Sequence, residues 1–244
     1  MALERRVTPE RLDNLPPDDP LALRSRRDLQ RVHRAMRSVS ILKHAMTRLP
    51  RAAPLRSILE LGAGDGTLLL RFAQALQPRW TGVDLTFLDR QDLISGAVRE
   101  AFRRLNWRVT VICTDALEWA RSEPVEHYDL CITTLFLHHF DSMDLGVLLG
   151  AVAARSEAFI ACEPRRDGVA RLGSRLIGLL CANEVTREDG VKSVAAGFAG
   201  RELTQLWSRV RGKWLVDEYR EWPFTHCFLA ARSRTGEAGD HDEH

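Results

Sequence analysis

The sequence predicts an α/β fold built on a mostly parallel, doubly wound sheet, and three observations carry that expectation. From residue 55 onward, short apolar runs alternate with stretches of helical periodicity, the pattern of consecutive βα units. The run Ser57-Ile58-Leu59-Glu60-Leu61 is too short for a buried helix and reads as a central strand. It crosses Gly62, Gly64 and Gly66 and passes straight into Leu68, Leu69, Phe72 and Leu76 at helical spacing. Right-handed crossovers then place the loops after residues 61, 84, 113 and 133 along one edge of the sheet.

The elements follow in chain order. Residues 7–22 hold four of the ten prolines, and Pro16-Pro17-Asp18-Asp19-Pro20 is a turn-rich lead-in to a helix. Leu29, Val32, His33, Met36, Val39, Leu42 and Met46 trace one apolar stripe along that helix. Arg24, Arg26, Arg27, Arg31, Arg34 and Arg37 share the segment. With no interleaved aromatics and no second basic face, they read as a solvated helix face rather than a nucleic-acid surface. Next come strand 57–61, helix 66–77, strand 80–84, helix 89–104, strand 108–113, a short helix 115–121, strand 128–133, helix 141–154 and strand 157–163. Residues 168–183 carry Val169, Leu172, Leu176, Ile177, Leu179 and Leu180 on a helical pattern, 188–190 signal a turn, and 198–210 read as another helix. Two strand-like runs, 214–219 and 224–232, precede a tail, 233–244, whose Gly, Asp, Glu and His content predicts disorder.

The glycine bend is the first chemical signal. Glycine at these alternating positions lets the backbone turn sharply and removes every Cβ between it and a ligand. A dinucleotide fingerprint would read G-x-G-x-x-G; here the spacing is G-x-G-x-G, with Glu60 before it and Asp65 inside it. Two carboxylates repel a pyrophosphate and suit a ligand with an ammonium and a sulfonium, which favours S-adenosylmethionine over NAD. Asp84 closes Trp80-Thr81-Gly82-Val83-Asp84, about twenty residues past the loop, where a ribose-binding acid is expected.

Further on, Val109-Thr110-Val111-Ile112-Cys113 leads to Thr114-Asp115-Ala116, and Tyr128-Asp129-Leu130-Cys131-Ile132-Thr133-Thr134 leads to Leu135-Phe136-Leu137-His138-His139-Phe140. These landmarks, in this order, resemble the class I S-adenosylmethionine-dependent methyltransferases over roughly residues 55 to 165. The Leu-His-His-Phe ending is most similar to the ubiquinone and menaquinone biosynthesis branch of small-molecule enzymes. The resemblance implies a seven-stranded Rossmann-like sheet closed by a C-terminal antiparallel hairpin, here from the runs 214–219 and 224–232. It implies a helical lid from residues 1–54, a catalytic domain over 55–232, and an acceptor-site cap over 164–212. It also implies that Glu60, Gly62, Ala63, Gly64 and Gly66 cradle the methionine part of the cofactor. Asp84 would bind the ribose, Leu85 would lie against the adenine, Asp115 and Ala116 would meet the adenine edge, and Thr133 and Thr134 would floor the sulfonium site. Asp84 and Asp115 also fit a plainer role as turn formers or helix caps.

His138 and His139 follow the fourth strand, where acceptors sit in this fold. A neutral imidazole there can take a proton from a phenol or an enol-type carbon, with His139 the first choice as base and His138 the second; one of the pair should face the pocket while the other packs. Arg165 and Arg166, just past the fifth strand, are candidates for pairing an anionic acceptor, although such a pair is more often solvated. The apolar content of 164–212 favours an aromatic or lipid-like acceptor over a sugar or polymer, or else simply packs the sheet; with the family resemblance it implies an aromatic, polyketide or quinone-like metabolite.

Length and charge bound the rest. At 244 residues one domain is expected, and 45% hydrophobic residues suffice for a substantial core. A formal charge of +2 gives no reason to expect nucleic acid as partner. Five scattered cysteines without metal-ligand spacing read as core residues in a reducing compartment, and no metal is expected. No apolar run reaches membrane-spanning length and the start lacks a signal-peptide pattern, so a cytoplasmic enzyme is expected, its oligomeric state left open. Amino-methylating nucleic-acid or protein methyltransferases usually carry Asn/Asp-Pro-Pro-Tyr after the fourth strand; Thr133-Thr134-Leu135-Phe136 stands there instead. A non-catalytic binding module remains the third alternative, and the intact landmarks argue against it.

Overall fold

The computed structural model describes residues 4–50, 54–78, 80–175 and 182–233. Its sheet comprises β1 (Ser57–Leu61), β2 (Val83–Asp89), β3 (Trp107–Cys113), β4 (Leu130–Thr134), β5 (Ala158–Pro164), β6 (Trp214–Glu221) and β7 (Thr225–Arg232). The strand order is β3-β2-β1-β4-β5-β7-β6, parallel from β3 to β5 and antiparallel on both sides of β7. The doubly wound sheet with its closing hairpin is therefore present. Strand order reverses between β1 and β4, which opens a crevice at their carboxyl ends. Register lines that crevice up: Leu61 of β1 pairs with Leu88 of β2 and with Thr133 of β4.

The helices are α1 (Pro20–Ala35), α2 (Ser38–Arg48), α3 (Thr67–Leu76), α4 (Gly96–Arg104), α5 (Ala116–Arg121), α6 (Ser142–Arg155), α7 (Gly168–Arg175), α8 (Glu184–Ala196) and α9 (Glu202–Trp207). Strand residues alternate between two cores, as a sheet covered on both faces requires. Ile58, Ile132, Ile160 and Leu229 pack with Leu42, Phe72 and Phe102 of α2, α3 and α4. Leu59, Cys131, Phe159 and Phe228 pack with Trp119, Leu148 and Trp207 of α5, α6 and α9 on the other face.

Four expectations are corrected. The single N-terminal helix is two, because Arg37 adopts a left-handed φ of 58° and breaks the stripe between α1 and α2. The second strand runs to Asp89 rather than 84, since Leu85, Thr86, Phe87 and Leu88 all bury between β1 and β3. The helix after it starts at Gly96, capped by Ser95, not at 89. The turn expected at 188–190 lies inside α8, because Asp189 is buried and accepts from the backbone N–H of Arg11 and Leu12 at 2.8 and 2.9 Å. The helix expected over 168–183 is described as α7 up to Arg175; its residues 176–181, like the tail 234–244, lie outside the described residues. No helix among the described residues is long and apolar enough to cross a membrane.

Phe102 locks α4 to the sheet edge, its ring 5.7 Å from that of Phe87 and 5.8 Å from Trp107. Phe102→Ala should cost about 3–5 kcal/mol of stability, the scale of an emptied aromatic core site. Urea unfolding of the variant beside the wild type checks the figure through the shift in midpoint.

Candidate active site at the carboxyl ends of β1 and β4

Between β1 and α3 the backbone takes positive φ at Gly62 (69°), Gly64 (55°) and Gly66 (70°), so the alternating glycines are read directly by the chain's conformation. The loop is held against β2, with Gly62 N–H donating to the Leu88 carbonyl at 2.9 Å. A Cβ at Gly62 would stand 2.3 Å from the Phe136 ring, whereas one at Gly64 would meet nothing within 4 Å. Phe136 thus seats on the loop, and Gly64 faces open space.

The acids around this loop define its preference. Glu60 is buried, and its Oε2 has no hydrogen-bond partner among the described residues. Burial, with the nearby charges of Asp65 and Asp89, pushes its carboxyl well above the ordinary range. A cation entering the crevice would relieve that cost. Thr133 donates to the Leu61 carbonyl at 3.2 Å, while Thr134 Oγ1 is buried without a partner among the described residues. Asp115 caps α5, accepting from the Leu117 N–H at 2.8 Å, beside the buried Ala116. Its capping role is what the structure shows, at the end of β3 on the crevice side.

Asp84 is not at the crevice. It pairs in register with Ser57, at the opposite end of β1, and is bound by Arg108 at 2.7 Å on the surface. Leu85 likewise belongs to the core beneath the sheet. The acid at the strand's carboxyl end is Asp89, whose Oδ2 accepts from Gly64 N–H at 2.9 Å and whose Oδ1 accepts from Gln91 N–H at 3.1 Å. The sequence signal for it existed: Phe87-Leu88 continue the apolar run past the first acid. Spacing from the loop alone selected the carboxylate at the far end of the strand.

The two histidines stand on a 3-10 turn, Leu137–His139, after β4. Leu135 before it takes a left-handed φ of 53°, an unfavourable conformation for a side chain of this size. Glu163, fully buried at the end of β5, accepts from the N–H groups of Phe136 and Leu137 at 3.0 and 2.9 Å and from His138 Nδ1 at 2.8 Å. His138 Nε2 meets Glu10 Oε1 at 3.3 Å. Burial lowers the His138 pKa, but the two carboxylates outweigh it and raise it to about 9. His138 therefore keeps its proton at neutral pH and is an ion-pair partner, not the free base that was the second expectation. His139 is partly exposed and pairs through Nδ1 with Asp13 at 3.0 Å. Its ring lies 6.1 Å from that of Phe136, the residue that seats on the glycine loop. So one histidine is buried and the other is partly exposed.

Glu10 and Asp13 were not singled out from sequence, because nothing local in an N-terminal segment reveals a partner some 125 residues away. Both resist the effect of burial: hydrogen bonds and charge from the two histidines hold their carboxyls below the ordinary range. Arg5 ties the same segment down, donating to the carbonyls of Ala196 and Phe140, both at 2.8 Å. The segment 4–15 thus runs as a strap over the histidines and against α8. Arg166, expected to be open to an acceptor, is instead buried and bridged to Glu202 and the Gly197 carbonyl. Arg165 is bound to Asp167 at 2.5 Å. Neither is a free cation. A cavity of about 280 Å³ beside the loop, between α1, α2 and α3, is bordered by Arg34, Arg37 and Arg71.

Comparison with known proteins bears on this arrangement. Residues 58–155 match the family model described as a methyltransferase domain. Among solved structures, the plantazolicin methyltransferase BpumL in complex with S-adenosylhomocysteine superposes with a TM-score of 0.59 at 16% identity, over 88% of this chain and 92% of that one. The fold is that of the S-adenosylmethionine-dependent methyltransferases. A putative O-methyltransferase from Nostoc punctiforme superposes at 0.61 and 13% identity, over 94% of this chain and 64% of its own. The pyocyanin biosynthetic protein PhzM does so at 0.55 and 20% identity, over 91% and 60%. No curated protein matches the chain in sequence. In this methyltransferase fold the glycine loop, Glu60 and Asp89 lie together at the carboxyl ends of β1 and β2, and Phe136 joins the loop to the turn that carries His139.

Gly62→Ala should be destabilising by about 1–3 kcal/mol, since alanine must hold a left-handed φ while its methyl displaces Phe136. Differential scanning calorimetry checks it; an unchanged melting temperature would mean that the loop and Phe136 readjust freely.

Proposed function

We propose that this protein transfers a methyl group from S-adenosylmethionine to an oxygen, or an acidic carbon, of a small apolar acceptor of aromatic, polyketide or quinone-like type. The observation that carries the cofactor is the orphaned, buried oxygen of Glu60 beside a loop of three positive-φ glycines. A buried carboxyl raised in pKa by burial and by two neighbouring acids suits an ammonium group. Asp89, at the end of β2, is assigned the ribose hydroxyls in place of Asp84. Asp115 and Ala116 are assigned the adenine edge, the Asp115 cap leaving one carboxylate oxygen free of the capping bonds. Thr133 and Thr134 line the floor. Bound there, the cofactor supplies a methyl group on a sulfonium, a leaving group that needs no protonation.

What remains for the protein is to align the acceptor and promote loss of its proton. His139 is the residue assigned to that ionisation, because it borders the loop through Phe136 and one ring nitrogen is left after its bond to Asp13. The strap, α7 and α8 are assigned the cap over the acceptor. The Leu137-His138-His139-Phe140 sequence supports the quinone-like end of the acceptor range.

Two outcomes are expected. Asp89→Ala should weaken S-adenosylhomocysteine binding by about 1.5–3 kcal/mol, the scale of hydrogen bonds to a charged acceptor, whereas Asp84→Ala should leave it unchanged. Isothermal titration of both variants decides between the two acids. His139→Ala should lower turnover about 10²–10⁴-fold against a panel of phenols and quinols, with affinity for S-adenosylhomocysteine preserved. Turnover within a few-fold of wild type would remove His139 from the chemistry.

A further inference from the structure

The cluster at the crevice rim is richer than one imidazole. Glu10, His138 and His139 each offer a ligand atom, and these atoms lie within 4.8 Å of one another. Each histidine gives its Nδ1 to a carboxylate that is not part of the trio: His138 to Glu163 at 2.8 Å, His139 to Asp13 at 3.0 Å. Glu10 is itself fixed by the Ser193 hydroxyl. This is the arrangement found around metal-binding histidines, where a carboxylate on one ring nitrogen orients the other towards the ion and raises its basicity. We propose that Glu10, His138 and His139 bind a divalent transition-metal cation, zinc the best fit, with Glu163, Asp13 and Ser193 orienting the three ligands.

Geometry and charge both support the site. Two ligands on a tetrahedral ion, each with a bond of about 2.0–2.1 Å, stand about 3.3–3.4 Å apart. His138 Nε2 and Glu10 Oε1 are 3.3 Å apart. The third ligand needs a shift on the order of an ångström, within reach of the partly exposed His139 ring. Three carboxylates, Glu10, Asp13 and Glu163, converge on two imidazoles, with Arg5 and Arg90 at the margin. The three carboxylates outnumber the two marginal guanidiniums, and a cation held between the imidazoles offsets the difference. Two histidines and one carboxylate leave a fourth position open, as sites that bind a reacting group do.

The inference rests on the reading of this crevice as a methyltransferase site, and it changes the part His139 plays from base to ligand. An acceptor hydroxyl at the open position would lose its proton to solvent more readily. Its oxygen lone pair then forms the bond to the methyl carbon, and the electron pair of the breaking C–S bond stays on sulfur. No oxidant or reductant is needed.

The test uses the full-length protein, freed of metal by chelator dialysis and titrated with Co²⁺ as a visible probe, then with Zn²⁺. Stoichiometric Co²⁺ binding is expected, with the absorption of a four-coordinate nitrogen and oxygen site that Zn²⁺ abolishes. Glu10→Gln keeps the side chain's shape and should weaken Co²⁺ binding by at least about tenfold, and Asp13→Asn by about 10–100-fold through His139. Absence of binding above that of a protein lacking such a cluster, or equal binding by Glu10→Gln, overturns the proposal. The shift in melting temperature with S-adenosylhomocysteine, recorded on the same samples, shows each variant folded and tests the methyltransferase reading separately. If the nucleoside stabilises the protein and no cation binds, the metal site alone fails. If cation binds and the nucleoside does not, the metal site stands and the methyltransferase reading fails.

Discussion

Glu163 is the constraint on which the site depends. Its side chain is fully removed from solvent, yet it sits at the end of a central strand, where a carboxylate without partners would be costly. It is satisfied by the backbone N–H groups of Phe136 and Leu137 and by His138 Nδ1. Those bonds shape the turn after β4, including the left-handed Leu135 that leads into it. The turn in turn places Phe136 on the glycine loop, fixes His138, and leaves His139 at the rim. One buried acid on β5 therefore sets the geometry of residues contributed by β4.

The same acid reaches the N-terminal segment through His138. Glu10 meets the far side of that ring, Asp13 meets His139, and Asp189 of α8 holds the Arg11 and Leu12 amides. These bonds join three parts of the chain that share no sheet: the strap, the post-β4 turn and the cap. Their energetic weight comes from low exposure, since an ion pair kept from water is screened far less than one on the surface. Arg48 with Asp217, or Arg103 with Glu100, are exposed pairs of the other kind and contribute little.

Much of this architecture was legible in the chain. Short apolar runs at β1, β4 and β5, helical spacing in α3, and glycines at 62, 64 and 66 are local signals, and the structure realises each of them, with the strands buried on both faces. The glycine loop needed no tertiary information because positive φ is a property of the residues themselves. Where expectation failed, a non-local contact had overruled a local signal. Asp84 looked like the end of a strand, but Phe87 and Leu88 found partners in β1 and β3 and carried β2 five residues further. The Glu188-Asp189-Gly190 triplet looked like a turn, but Asp189 was bound by a segment 178 residues away.

The sequence by itself determined the α/β class, the position of the glycine bend and the acid before it, because hydrophobic period and backbone permissiveness act over a few neighbouring residues. It also brought two histidines to the end of the fourth strand. Only the tertiary structure decided that Asp89 rather than Asp84 faces the loop, since strand register is set by pairing with both neighbours. Only the tertiary structure gave the histidines their different surroundings. His138 is buried between Glu163 and Glu10 and His139 is partly exposed beside Asp13 because carboxylates from β5 and from the N-terminal strap converge on them, and charge proximity in the folded chain leaves no trace in sequence spacing.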